Sequence, residues 1–342
     1  MEEQPSRTTN AQSMPSEVAR QNSSDNASGD APASAIHSGA MNERRALVYG
    51  LLAVALWSTV ATGFKLGLAW FSAAQLVWLG TVVSWIVFAS FALITKQWRL
   101  QRTDLTWVII LGLLNPFIYY LILFAAYERL PAHIAQPLNY TWAITLALLS
   151  TVVLKQRLAR RVMLGIVISY SGVLLLLLTA SQPSDTATRN TGWDGWGVAL
   201  ALASTVIWAS YWLLNTRLAH TNSSPAVAIM LWSFTAALPC ITLVTAVGPG
   251  LPELSREAIL YGGWVGCIEM GFTFLLWQAA LRHTQHAGRL AQLIFLSPFA
   301  SLLLIHWVLG EHIGWGAVAG VVVIVAGLGI TQSNRPAPEE RV

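Results

Sequence analysis

The chain has 342 residues, 55% of them apolar and only 11% charged, with 16 Trp and a formal net charge of +4. This balance excludes an ordinary water-soluble domain, in which about a quarter of residues are charged, and points to a chain that spends most of its length in a bilayer. Cys240 and Cys267 fall in apolar stretches at different depths, so no disulfide is expected and each reads as a small packing residue.

In chain order, residues 1–45 are rich in Ser, Asn, Ala, Gln and Pro and have no apolar run, so they read as a disordered cytoplasmic tail. The first apolar stretch begins at Ala46, too late for a signal peptide, and is expected to stay in the mature protein. Ten apolar segments follow, at roughly 46–66, 71–95, 105–127, 132–153, 162–180, 194–216, 224–247, 258–281, 288–309 and 313–331. Each is long enough for one helical crossing of a core about 30 Å thick. Residues 333–342 form a short cytoplasmic C-terminal tail.

The segments are two copies of one unit. Trp78, Gly112, Ala125 and Ala126 recur 154 residues later as Trp232, Gly266, Ala279 and Ala280. Leu158, Gly165 and Gly172 recur 155 residues later as Ile313, Gly320 and Gly327. Residues 46–180 form the first five-helix repeat, 181–193 an extracytoplasmic linker and 194–332 the second repeat. An odd number of crossings inverts the second copy, so the expected fold is an all-α integral membrane protein of ten transmembrane helices in two inverted repeats.

Lys and Arg set the orientation. With the amino terminus cytoplasmic, 14 of them from Arg44 onward lie on the inner flanks, and only Lys65, Arg129, Arg189 and Arg256 lie outside. Both termini are therefore expected in the cytoplasm.

Glu269 lies at the middle of the eighth segment, deeper than any other charged residue of the ten. A carboxylate there costs several kcal/mol unless it faces a polar cavity or a partner, and such residues mark pathways. Its repeat equivalent is Asn115, and Thr273 is equivalent to Tyr119. At α-helical spacing Gly262, Gly266, Glu269 and Thr273 share one face. Asn115-Pro116, Gln136-Pro137 and Ser297-Pro298 interrupt the third, fourth and ninth segments and free the carbonyls of Gly112, His133 and Ile294, so these helices read equally as cavity wall that bends during transport or as static kinks accommodated by packing. The fourth segment adds Gln136, Asn139, Tyr140 and Trp142. Trp57 and Trp208 read equally as cavity aromatics or as packing. Lys65 reads as a snorkelling residue, and Glu128, Glu311, His306 and His312 lie near the outer face, where they could gate access. Gly165 with Ser169 and Gly316 with Gly320, continued by Gly172 and Gly327, let helix backbones approach closely. The fifth and tenth helices are thus expected to buttress the core or to meet a second copy.

The stretch Trp57–Lys65 (WSTVATGFK), the Ala-rich ends of the third and eighth segments, and the closing pattern Pro298, Gly310-Glu311, Gly320, Gly327 resemble the drug/metabolite transporter superfamily, in its ten-helix branch with two EamA-type repeats. The resemblance covers residues 46–332. The first half departs from it, with Ala143 where the family often has Pro, Gln156 where it has Glu, and no basic residue in the second helix. Asn139-Tyr140-Thr141-Trp142-Ala143 is similar to the Asn-Tyr-x-Trp-Pro pattern of aromatic amino-acid exporters in the superfamily. The resemblance implies a secondary transporter, often an exporter, of a small organic solute such as an amino acid or related metabolite.

The partners expected are that solute, the lipid bilayer and protons, with no nucleic acid, and the protein is expected to act as a monomer or homodimer. Two other classes are weighed. A non-transporting scaffold would tolerate apolar substitution of every mid-depth polar residue. An intramembrane enzyme lacks support, since no HExxH or GxSxG sequence and no cofactor or metal motif is present.

Overall fold

The computed structural model describes residues 33–154, 160–180, 194–219, 224–284, 290 and 293–332. Residues 1–32 of the expected N-terminal tail, the expected linker at 181–193, the tail at 333–342 and Gln156 lie outside the described residues. The described residues from Met41 onward form one compact unit.

Among the described residues, seven helical stretches are long and apolar enough to cross a membrane. They are Glu43–Leu68, Ala73–Ile94, Arg102–Arg129, Arg160–Thr179, Gly195–Arg217, Ala226–Val247 and Ala258–His283, here the first, second, third, fifth, sixth, seventh and eighth crossings. Two shorter apolar helices, Leu293–Leu309 and Trp315–Thr331, are the ninth and tenth. The fourth crossing is divided at Thr141 into Ala132–Tyr140 and Trp142–Leu154. Large apolar side chains such as Ile86, Leu174 and Leu303 remain exposed around the bundle, as an apolar solvent permits.

The first helix starts at Ala33, so residues 33–45, expected in the tail, are helical. Ala, Glu, Met and Arg in this stretch favour helix, and lengthening an existing helix needs no new nucleus. The same helix stops at Ser58, and a second runs Val60–Leu68. At both internal breaks a threonine hydroxyl bonds back to a carbonyl three residues earlier: Thr59 to Leu56 (2.6 Å) and Thr141 to Leu138 (2.7 Å). These local bonds compete with the helical ladder and help end it. Ser72 starts the second crossing with a capping box, its side chain accepting from Gln75 N–H and Gln75 reaching back to Ser72 N–H.

The inversion of the repeats is visible in pairs of contacts. A Cβ on Gly165 would stand 2.6 Å from the carbonyl of Gly327, and one on Gly172 would stand 2.8 Å from the carbonyl of Gly320. Gly165 is the repeat equivalent of Gly320, and Gly172 of Gly327, so each contact is the other turned about a pseudo-two-fold axis. Between them Ser169 donates to the carbonyl of its own equivalent, Ile324 (3.0 Å). The small-residue stripes of the fifth and tenth crossings are thus used against each other within the chain. In the same way Gly112 of the third crossing packs on the backbone of Ser233 in the seventh, and Gly266 of the eighth packs on Gly80 of the second. Each repeat holds the other.

Candidate functional site

Both repeats depart from α-helix at the same depth. The third crossing passes through a π-helical turn at Leu113–Ile118, inside which Asn115 has non-helical angles of φ −144 and ψ 117. The eighth has π-helical turns at Ala258–Gly262 and Val265–Phe272, the latter carrying Glu269. A π turn inserts a residue and rotates everything beyond it, and such turns concentrate at functional sites. The single face expected for Gly262, Gly266, Glu269 and Thr273 is therefore divided. Gly262 packs on Leu79 and Gly266 on Val83 of the second crossing, while Thr273 bonds back to the carbonyl of Ile268. Ser84 donates to the carbonyl of Gly266 (2.8 Å), satisfying an acceptor beside the irregular turn.

Glu269 is left facing the third crossing. It is 8% exposed, and its Oε1 accepts from the hydroxyl of Tyr120 at 3.0 Å. Its Oε2 has no partner among the described residues. Tyr120 sits one residue beyond the equivalent of Thr273, and its own equivalent is Phe274, which has no hydroxyl to offer Asn115. The repeats therefore build an acidic corner on one side only.

That corner belongs to a cavity of about 340 Å³ between the repeats, walled by the first, third, fourth, sixth, eighth and ninth crossings. Glu269, Tyr119, Gln136, Asn139, Tyr140 and Trp142 lie on its wall. Tyr119 donates to Asn139 Oδ1 (3.3 Å), and Asn139 Nδ2 donates to Ser204 (3.1 Å). Tyr140 donates to Ser297 (2.7 Å), which stands 3.3 Å from the hydroxyl of Ser58. Gln136 Oε1 is buried without a partner among the described residues. An unbroken arc of rings runs from Trp277 to Trp57 (5.5 Å between centroids), Phe274 (5.9 Å from Trp57), Trp208 (6.1 Å) and Tyr119 (4.4 Å, stacked).

The wall grades from deeply buried Phe64 and Tyr127 at one end to exposed Thr216 at the other. The buried end is tied by polar contacts. Lys65 Nζ donates to the carbonyl of Tyr127 (2.7 Å), and Glu128 accepts from the N–H of Ala73. Gly310, in the left-handed conformation at φ 67, ends the ninth helix and turns the chain toward the fourth crossing. There Glu311 accepts from the backbone N–H groups of Ala132 (2.9 Å) and His133 (3.1 Å), with His133 Nδ1 at 2.6 Å from its Oε2. A carboxylate from the second repeat thus caps a helix of the first. Burial raises the pKa of Glu311, but the bonds from His133 and the two backbone N–H groups outweigh it and leave it below its ordinary value.

Not every candidate reaches the cavity. Asn115 and Thr273 are buried but stand off the wall, Asn115 Oδ1 without a partner. Pro116 lies within its π turn and Pro137 inside Ala132–Tyr140, four residues before the break at Thr141. Pro298 stands where the ninth crossing changes from the 3-10 turn Leu293–Leu296 to the α-helix Ser297–Leu309, in the first turn of the latter. Residue-level reading passed over Tyr120, Ser58, Ser204, Trp212 and Trp277. Tyr120 was masked by its neighbour Tyr119, which α-helical spacing favours until the π turn is known.

The whole chain therefore has the architecture of a membrane transporter. The family model described as the EamA-like transporter family matches residues 44–178 and 195–332, one match per repeat. The chain belongs to this family, within the drug/metabolite transporter superfamily, and is a multi-pass transporter of the cell membrane. It is 24% identical to an uncharacterized transporter of Archaeoglobus fulgidus, over 83% of this chain and 97% of that one. It is 25% identical to a "Probable amino-acid metabolite efflux pump" of Salmonella typhimurium, over 81% and 91%. A solved crystal structure shares the fold with a TM-score of 0.59 at 19% identity, covering 83% of this chain and 95% of that one.

Proposed function

We propose that the protein is a secondary transporter that exports a small organic solute, an amino acid or related metabolite, by alternating access through the cavity between its repeats. Glu269 is the group that meets the solute or a proton, and Asn139, Tyr140 and Gln136 supply hydrogen bonds beside it. The observation that carries this reading is a deeply buried carboxyl group, one of its oxygens without a partner among the described residues, on the wall of a cavity between the repeats. An unpaired buried carboxylate is costly, so proton and ligand compete to satisfy it, and that competition is what couples their movements.

Both termini lie in the cytoplasm on the Lys and Arg distribution, which makes the exposed Thr216 end the inner mouth. The Lys65–Tyr127, Glu128–Ala73 and Glu311–His133 contacts then form the outer closure, and export requires that they part. The efflux named for the Salmonella typhimurium relative supports the outward direction.

Counterflow tests the reading. Proteoliposomes preloaded with unlabelled amino acids and their amines are expected to accumulate the labelled compound with the native protein, and at least tenfold less with Glu269→Gln. Equal counterflow in both proteins would remove Glu269 from the pathway, and none with any solute class would favour a scaffold.

A further inference from the structure

The charge inventory of the cavity narrows the solute beyond the proposed function, on which this step rests. Among the described residues of its wall, Glu269 is the sole acid and there is no Lys, Arg or His. A free α-amino acid brings both an ammonium and a carboxylate. Its carboxylate would enter an apolar, tryptophan-walled space that already holds one carboxyl group and whose described wall residues include no cation to balance a second.

The hydroxyls of Tyr119 and Tyr140 and the amide of Asn139, which could serve a carboxylate instead, are committed to neighbours. Tyr119 donates to Asn139, Asn139 to Ser204, and Tyr140 to Ser297. Among the described residues of the wall, the fully buried polar atoms without partners are the Oε2 of Glu269, the Oε1 of Gln136 and the indole N–H of Trp212. The first suits a charged N–H donor, because a charge-assisted bond to a carboxylate is about twice as strong as a neutral one. The other two are neutral and suit a hydroxyl, amide or carbonyl.

The aromatic arc adds the third element. Its rings form a continuous wall from Trp277 to Tyr119, and Tyr119 packs against Tyr120 (4.8 Å), the residue bonded to Glu269. Aromatic faces attract cations and flat rings alike.

We infer that the cavity takes a monovalent organic cation: an aromatic amine, or an amino-acid derivative whose carboxylate is masked, with the ammonium on Glu269 and the ring against the tryptophan arc.

A matched set tests this on the purified full-length protein, read by tryptophan fluorescence and by flux in proteoliposomes. The probes are phenethylamine, phenylalanine amide, phenylalanine and 3-phenylpropionate. Phenethylamine and phenylalanine amide are expected to bind about tenfold or more tighter than phenylalanine, with 3-phenylpropionate weakest. Glu269→Gln is expected to erase the preference for the cations, while Glu269→Asp retains part of it, which separates lost charge from lost folding. Phenylalanine binding as tightly as its amide, or no binding of either amine, would overturn the cation assignment. Phenylalanine flux that depends on Glu269 would overturn it too, and would leave the transport reading standing. Tight amine binding without flux of any probe would do the reverse.

Discussion

Tyr120 and Glu311 are the two residues whose importance comes from contacts across the repeats. Removing the Tyr120 hydroxyl leaves Glu269 with no hydrogen-bond donor from a neighbouring side chain. Tyr120→Phe is expected to change solute affinity by an amount corresponding to about 1 kcal/mol, read by binding to the purified protein. Unchanged affinity would place the hydroxyl outside the site's chemistry. Glu311→Ala removes the cap of the fourth crossing and should cost about 1 kcal/mol of thermal stability in detergent. Its pH dependence has a definite sign. The folded carboxyl has a lowered pKa, so its stabilisation is present above the ordinary value of about 4.3 and is lost as pH falls through the lower, folded value. Native protein should therefore lose stability on acidification below about pH 4 faster than Glu311→Ala does. Parallel melting curves would contradict the capping role.

At the level of elements, hydropathy found the crossings because the bilayer demands a continuous apolar run from each. It did not find the breaks at Thr59 and Thr141 or the π turns, because these depend on a few local hydrogen bonds and not on composition. That gap had a cost. Spacing arguments placed Thr273 beside Glu269 and missed Tyr120, since one extra residue in a helical turn rotates the face that follows. The fifth and tenth crossings were legible in a different way. Their glycines recur at a fixed offset because each needs the other's backbone at contact distance. Gly172→Val is expected to destabilise the protein by about 1–3 kcal/mol, since even a Cβ would stand 2.8 Å from the Gly320 carbonyl. Neither crossing lines the cavity, so solute affinity in the folded fraction should be unchanged. A loss of affinity without a loss of stability would show that this seam communicates with the site.

For the whole molecule, the duplication made the fold and the inversion readable, and it located Glu269 by the failure of its equivalent, Asn115, to match it. The closure at the Lys65 end was not readable, because Glu311 and His133 are 178 residues apart and meet only once the chain is folded. Glu311 is the repeat equivalent of Gln156, so the closure too departs from the symmetry of the fold. The bundle is a near-symmetric frame around an asymmetric interior. On the proposed function, the symmetry would serve alternation between two similar states, and the asymmetry a preferred solute and direction.

The central claim is that solute and proton exchange at Glu269. It is tested most directly by solute-driven proton movement in proteoliposomes loaded with a pH-sensitive dye. With the native protein, a gradient of transported solute should drive protons in the opposite direction, and Glu269→Gln should show none at matched protein content. Equal proton movement in both proteins, or full solute flux in the native protein with no proton movement, would contradict the account.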